Sequence, residues 1–210
     1  MPKVAEYERA ETSRLVAFSD GVIAIAITLL VFDLTVPKLP PGTSDSVLPT
    51  LVFDQRHELF GYALSFLVIG LYWMLHRRVF IYVTAHDRKL LWLNLFFLMF
   101  VAFLPFATDL FTDHPNRFGV SFYAVTQAAT GYTLALLWLY AGWKNLVEDG
   151  LTSRLVLARA ARFLVTPTVF LCSIAVAAVD VDLAILSWLL IVPLNALFEL
   201  RVVRIAEDEV

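Results

Sequence analysis

The chain has 210 residues, of which 60% are hydrophobic and 17% charged, with 17 Phe, 5 Trp and a formal net charge of −3. A soluble domain is about 45–50% apolar and about 25% charged, and spread over one globule this excess would leave large apolar patches facing water. Gathered into runs, at a mean hydropathy of +0.75, it means membrane spans and excludes a soluble enzyme. The mild acidity supplies no basic surface for nucleic acid, and Cys172, alone in an apolar run, leaves no disulfide framework or thiolate metal cluster.

The first dozen residues are polar, with Glu6, Glu8 and Glu11 beside Lys3 and Arg9, unlike the basic start of a cleaved secretory signal. The first apolar segment is therefore expected to stay in the mature protein. A span takes about 20 mostly apolar residues, and the sequence predicts six helices at about 13–35, 57–77, 88–111, 118–143, 159–179 and 182–203. The expected fold is all-α, a polytopic membrane protein in one domain without an internal repeat. Pro105, Pro167 and Pro193 fall late in the third helix, early in the fifth and late in the sixth, where neighbouring helices can satisfy the freed carbonyls. Residues 35–57, with Pro37, Pro40, Pro41 and Gly42, read as an ordinary loop.

Lysine and arginine set the orientation. Lys3, Arg9, Arg14, Arg77, Arg78, Arg88, Lys89, Lys144, Arg154, Arg159, Arg162, Arg201 and Arg204 fall on the side of both termini. Only Lys38, Arg56 and Arg117 fall on the other, so both ends are expected in the cytoplasm of a multi-pass cell-membrane protein. The outer loops carry Asp33, Asp45, Asp54, Glu58, Asp109, Asp113, Asp180 and Asp182, an acidic mouth that would concentrate cations. Trp92 and Trp143 read as interfacial anchors.

Helix one has two unlike faces. Taking Ile25 as zero at about 100° per residue, Arg14, Phe18, Gly21, Leu29 and Phe32 fall within about 40° and Thr28 within about 60°. Ser19 and Asp20 lie on the far side, about 120° and 140° away. An intramembrane acid is costly and faces protein or water. Arg14 is too far round the helix to pair with Asp20, which leaves His76, Trp73 or Asn94 on other helices as its candidate partners. Thr28 can bond back to the Ala24 carbonyl, and Ile23, Ile27, Leu30 and Leu34 form a wholly apolar stripe suited to packing or lipid. His76 falls at the cytoplasmic end of helix two, where an interfacial hydrogen bond or a pH-sensitive role is open to it.

Arg14, Phe18-Ser19-Asp20-Gly21, the run through Thr28 and Asp33 resemble the signature first helix of the transmembrane protein 175 family, the lysosomal-type potassium channels and their prokaryotic relatives. The resemblance continues in Trp73-Met-Leu-His76-Arg77-Arg78-Val-Phe80 and from Asn94-Leu95 to Phe103-Leu104-Pro105-Phe106. It covers the first half of the chain; the second half matches mainly in hydropathy. A single six-helix repeat resembles the prokaryotic members, which implies a homotetramer with four copies of helix one around the axis. It implies an apolar constriction at Ile25 and a hydroxyl layer at Thr28, with no carbonyl filter. Leu29 and Phe32 would extend the apolar wall, and Arg14, Phe18, Ser19, Asp20, Trp73, His76 and Asn94 would form a structural network.

The expected function is a potassium-permeable, weakly potassium-selective channel. Its partners are its own copies, membrane lipid and monovalent cations; no cofactor, catalytic group, nucleic acid or metal beyond the permeant ion is expected. The alternative is a proton- or sodium-coupled carrier using Asp20. A third reading is a non-conducting scaffold in which the polar groups of helix one serve only packing.

Overall fold

A computed structural model describes residues 2–39, 41–42, 44–148 and 150–207, with the backbone alone for residues 2–10 and 45. Pro40 and the side chains of Lys3, Arg9 and Asp45 thus lie outside the described residues. The helices are α1 (Pro2–Leu29), α2 (Leu48–Asp54), α3 (Arg56–Tyr82), α4 (Arg88–Asp113), α5 (Arg117–Trp143), α6 (Ser153–Ala177), α7 (Val181–Ser187) and α8 (Ile191–Glu207). Their starts follow capping chemistry: Asp87, Asn116 and Asp180 accept the Leu90, Phe118 and Leu183 amides at 2.8, 2.9 and 2.9 Å.

Several expected boundaries move. Helix one begins at Pro2, not near residue 13, and tightens into a 3₁₀ turn over Leu30–Asp33. Residues 35–57 are more than a loop, because Pro49 sits at the start of the short α2, where its missing N–H costs nothing. The second helix runs on to Tyr82, so His76 is not at its end but more than a turn inside it, and fully buried. The fifth helix starts at Ser153.

The sixth segment is not one helix. A 3₁₀ turn, Trp188–Leu190, separates α7 from α8, and Pro193 falls in the first turn of α8, not late in a helix. Proline has no N–H to offer the carbonyl four residues back, so the ladder lapses there. Trp188 secures the break: its Nε1 donates to Ser173 Oγ at 2.9 Å, and its ring packs on Phe111, Tyr123 and Phe170.

Among the described residues, five segments are long and apolar enough to cross a membrane: Glu11–Asp33, Arg56–Tyr82, Arg88–Asp113, Ser153–Ala177 and Val181–Glu207. Five of the six expected spans meet that measure of length and hydropathy. The one that drops out is α5, 27 residues long but carrying Thr126, Gln127, Thr130 and Tyr123, all buried. The helix packs on α4 along one side and α6 along the other, so much of its surface meets protein and need not be apolar, although Val125 and Leu136 remain exposed. Gly131 lets α6 approach: a Cβ there would meet the Pro167 ring at 2.8–2.9 Å.

Hydrogen bonds gather the arginine-rich connections at one end. Thr12 meets His86 at 3.2 Å, the Tyr140 hydroxyl donates to Asp87 at 2.5 Å, the Thr84 amide to the Leu146 carbonyl at 2.9 Å, and Arg78 to Glu199 at 2.5 Å. At the opposite end Asp33 lies within electrostatic reach of Asp109 and Asp113 on α4.

Candidate functional site on the first helix

The two faces of α1 part company in the structure. Ile23, Ala26 and Leu30 are buried against α3 and α4, at 1%, 1% and 0% exposure. The opposite stripe is left without a partner: Phe18 is 54% exposed, Ile25 60%, Leu29 42% and Phe32 76%, with Gly21 and Thr28 also exposed. Four large apolar side chains in one line are a contiguous surface of the kind a monomer rarely presents.

Thr28 bonds back along its own helix, donating from Oγ1 to the Ile25 carbonyl at 2.8 Å, not to Ala24. Thr28 lies in the last turn of α1, just before the 3₁₀ turn of Leu30–Asp33. With its proton committed, the hydroxyl oxygen offers only lone pairs outward.

The buried side of α1 carries two polar ties. Trp73 Nε1 donates to Asp20 Oδ1 at 2.9 Å, so of the three candidate partners it is the tryptophan that meets the acid. His76 and Asn94 belong to a separate chain. Asn94 Nδ2 donates to Ser19 Oγ at 2.9 Å, Ser19 donates on to the Leu15 carbonyl at 2.9 Å, and His76 Nε2 meets Asn94 Oδ1 at 2.8 Å. The His76 ring stacks on Phe97 with centroids 5.2 Å apart. All three side chains are fully buried, where such bonds are strongest and their loss most costly. One residue each from α1, α3 and α4 is thereby held in register.

Arg14 and Phe18 stand outside this network. Arg14 reaches Glu11 at 3.4 Å in an exposed pair, and Phe18 points away from the bundle, because both fall on the outward stripe of the helix.

Three further ties went unread in the sequence. Ser65 meets Thr108 at 2.8 Å and Tyr123 at 3.0 Å, Tyr72 donates to the Gln127 carbonyl at 2.7 Å, and Glu199 on α8 is shared by Arg78 and Arg162. Serines, threonines and a glutamine inside apolar runs were the available signal; their partners lie 43 to 58 residues away. Among the described residues no group of three or more His, Cys, Asp or Glu could hold a metal ion.

Fold and composition together define a multi-pass, all-helical membrane protein built around an anchored first helix with a bare outer face. The family model described as the endosomal/lysosomal potassium channel TMEM175 matches residues 14–105. A potassium channel of Streptomyces collinus is 40% identical over 134 residues, 61% of this chain and 63% of that protein. A potassium channel of Chamaesiphon minutus is 36% identical over 138 residues, 64% of this chain and 68% of that protein. The crystal structure of a lysosomal potassium-selective channel TMEM175 homologue from Chamaesiphon minutus superposes with a TM-score of 0.73 at 28% identity, covering 92% of this chain and 98% of that one. The chain belongs to the TMEM175 family, a family of ion channels and not of enzymes. It spans somewhat less than two thirds of its Streptomyces relative, and the matched family segment ends at residue 105, inside α4.

Proposed function

We propose that the protein is a potassium-permeable cation channel, a homotetramer with four copies of α1 around the conduction axis. The observation that carries this reading is the unpartnered stripe of Phe18, Gly21, Ile25, Thr28, Leu29 and Phe32. Cyclic symmetry turns each of these side chains into a ring. Ile25, with Leu29 and Phe32 beyond it, would form an apolar constriction that gates by dewetting. Thr28 would form a layer of oxygens whose lone pairs face the ion. So few oxygens penalise the more strongly hydrated ion, sodium, and favour potassium weakly. Asp20 stays off the axis, bonded to Trp73, with the network of Ser19, Asn94 and His76 holding the helix against α3 and α4. No cofactor is required beyond the permeant ion.

In this reading α5 is a sixth pass, packed between α4 and α6, and six passes put both termini on the arginine-rich, cytoplasmic side of the cell membrane. Cysteines introduced at Ser44 and at Lys144 check it: an impermeant thiol reagent applied to intact cells should label the first and spare the second.

The deciding experiment is potassium and sodium flux from liposomes holding the wild type, Ile25→Asn, Thr28→Ala or Asp20→Asn. Wild-type protein should release potassium faster than sodium. Ile25→Asn should raise flux by wetting the constriction, and Thr28→Ala should narrow the preference for potassium. Flux indifferent to Ile25 and abolished by Asp20→Asn would instead make Asp20 a carrier's transport site.

A further inference from the structure

A second polar site lies away from α1, at the arginine-rich end of the bundle. A cavity of about 330 Å³ opens between α3, α6 and α8, with Arg78, Arg159, Arg162, Tyr82 and Glu199 in its wall. Three guanidinium groups face one carboxylate. Glu199 takes up Arg78 and Arg162, whereas Arg159 donates only to the Tyr82 hydroxyl, at 2.8 Å, lying over that ring. The Nε–H groups of Arg159 and Arg162 are buried and have no acceptor. An orphaned buried donor is costly, and a surplus of guanidinium forks matches the oxygens of a phosphate.

What lies along the helices from this cup narrows the ligand. α3 packs on α1 and α4, and α8 on α6, which leaves α3 and α8 standing apart over most of their length. The gap is an apolar groove of about 420 Å³, lined by Leu64, Leu67, Leu71, Leu189 and Val192 among others. Leu64, Leu71 and Arg78 are spaced by sevens on α3, as are Val192 and Glu199 on α8, so groove and cup share one face of each helix. From Arg78 to Leu64 is 14 residues, about 21 Å along the axis, half of an about 40–45 Å bilayer with its headgroups. We propose that this face binds an anionic phospholipid, its phosphate in the cup of Arg78, Arg159 and Arg162 and an acyl chain in the groove between α3 and α8. A free phosphate would use the cup and leave the groove empty; a second copy of the chain would use the groove and leave the surplus charge unanswered.

Native mass spectrometry of the full-length protein, incubated with phosphatidylglycerol or phosphatidylcholine at equal mole fraction, tests this. Phosphatidylglycerol should be retained preferentially. Arg159→Gln, which leaves the Glu199 pairs in place, should lower that retention about fivefold with phosphatidylcholine unchanged, the effect of one basic residue at an anionic lipid surface. Glu199→Gln should raise it, so loss of fold cannot imitate the pattern. Leu71→Trp, which fills the groove, should weaken phosphatidylglycerol without touching the cup. Equal retention of both lipids, insensitivity to Arg159 and Glu199, displacement by millimolar inorganic phosphate alone, or a groove occupied by a cross-linked second copy would each overturn the proposal. The readout is lipid mass, so it stands or falls apart from ion flux.

Discussion

At the residue scale the informative position is Asn94. Its amide spends both ends in the interior, the NH₂ on Ser19 of α1 and the oxygen on His76 of α3. Replacing it with Ala deletes two bonds at once and leaves buried groups without partners, each worth about 1–3 kcal/mol. Asn94→Ala should therefore lower the thermal midpoint in detergent more than Asp20→Asn, whose amide oxygen still accepts from Trp73. The sequence named every member of this network but not its wiring. It offered three partners for Asp20 because an intramembrane acid demands a donor without saying which. Trp73, three residues before His76, lies on the half-exposed side of α3 that reaches Asp20, whereas His76 and Asn94 face inward.

At the element scale, α5 departs furthest from its hydropathy. Its long uncharged run made it legible as a helix over about 118–143, against Arg117–Trp143 in the structure, yet its threonines, tyrosines and Gln127 lower its apolarity because its neighbours are helices. The close approach at Gly131 follows from that central position. Gly131→Val should push Pro167 and the whole of α6 outward, costing about 1–3 kcal/mol as overpacking does. Gly70, with open space around its Cβ position, is the control: Gly70→Ala should leave the midpoint unchanged or raise it. The break between α7 and α8 was less legible. Pro193 was visible, but its effect depended on whether the helix had already begun, and the Trp188 ring inserted among Phe111, Tyr123 and Phe170 decided that it had not.

At the scale of the whole molecule, the arginine-rich end is tied together by loop contacts with a pH signature. Burial pushes the Asp87 carboxyl up, but hydrogen bonds from the Tyr140 hydroxyl and the Leu90 and Lys89 amides outweigh it and hold the group below the usual carboxylate range. A carboxyl depressed in the folded state contributes stability above its unfolded value of about 4, and that contribution is lost as pH falls through the lower folded value. Wild-type protein should accordingly lose thermal stability between about pH 4 and lower values, and Tyr140→Phe should flatten the profile there. Thr12, meeting His86 beside Asp87, links the start of α1 to the same loop.

The order of hydrophobic and charged residues along the chain determined the class, the α-helical elements, the side on which arginine collects and the two-faced character of α1, since each depends on local composition and a period of about 3.6 residues. The family resemblance, carried by Phe18-Ser19-Asp20 and its neighbours, was equally a matter of sequence. Tertiary structure alone decided which donor meets Asp20, that α5 packs between α4 and α6, that the last segment breaks at Trp188, and that Arg78, Arg159 and Arg162 converge on one cup. Those outcomes rest on contacts between residues tens of positions apart. Their geometry is set by how the helices cross, which no window of sequence contains.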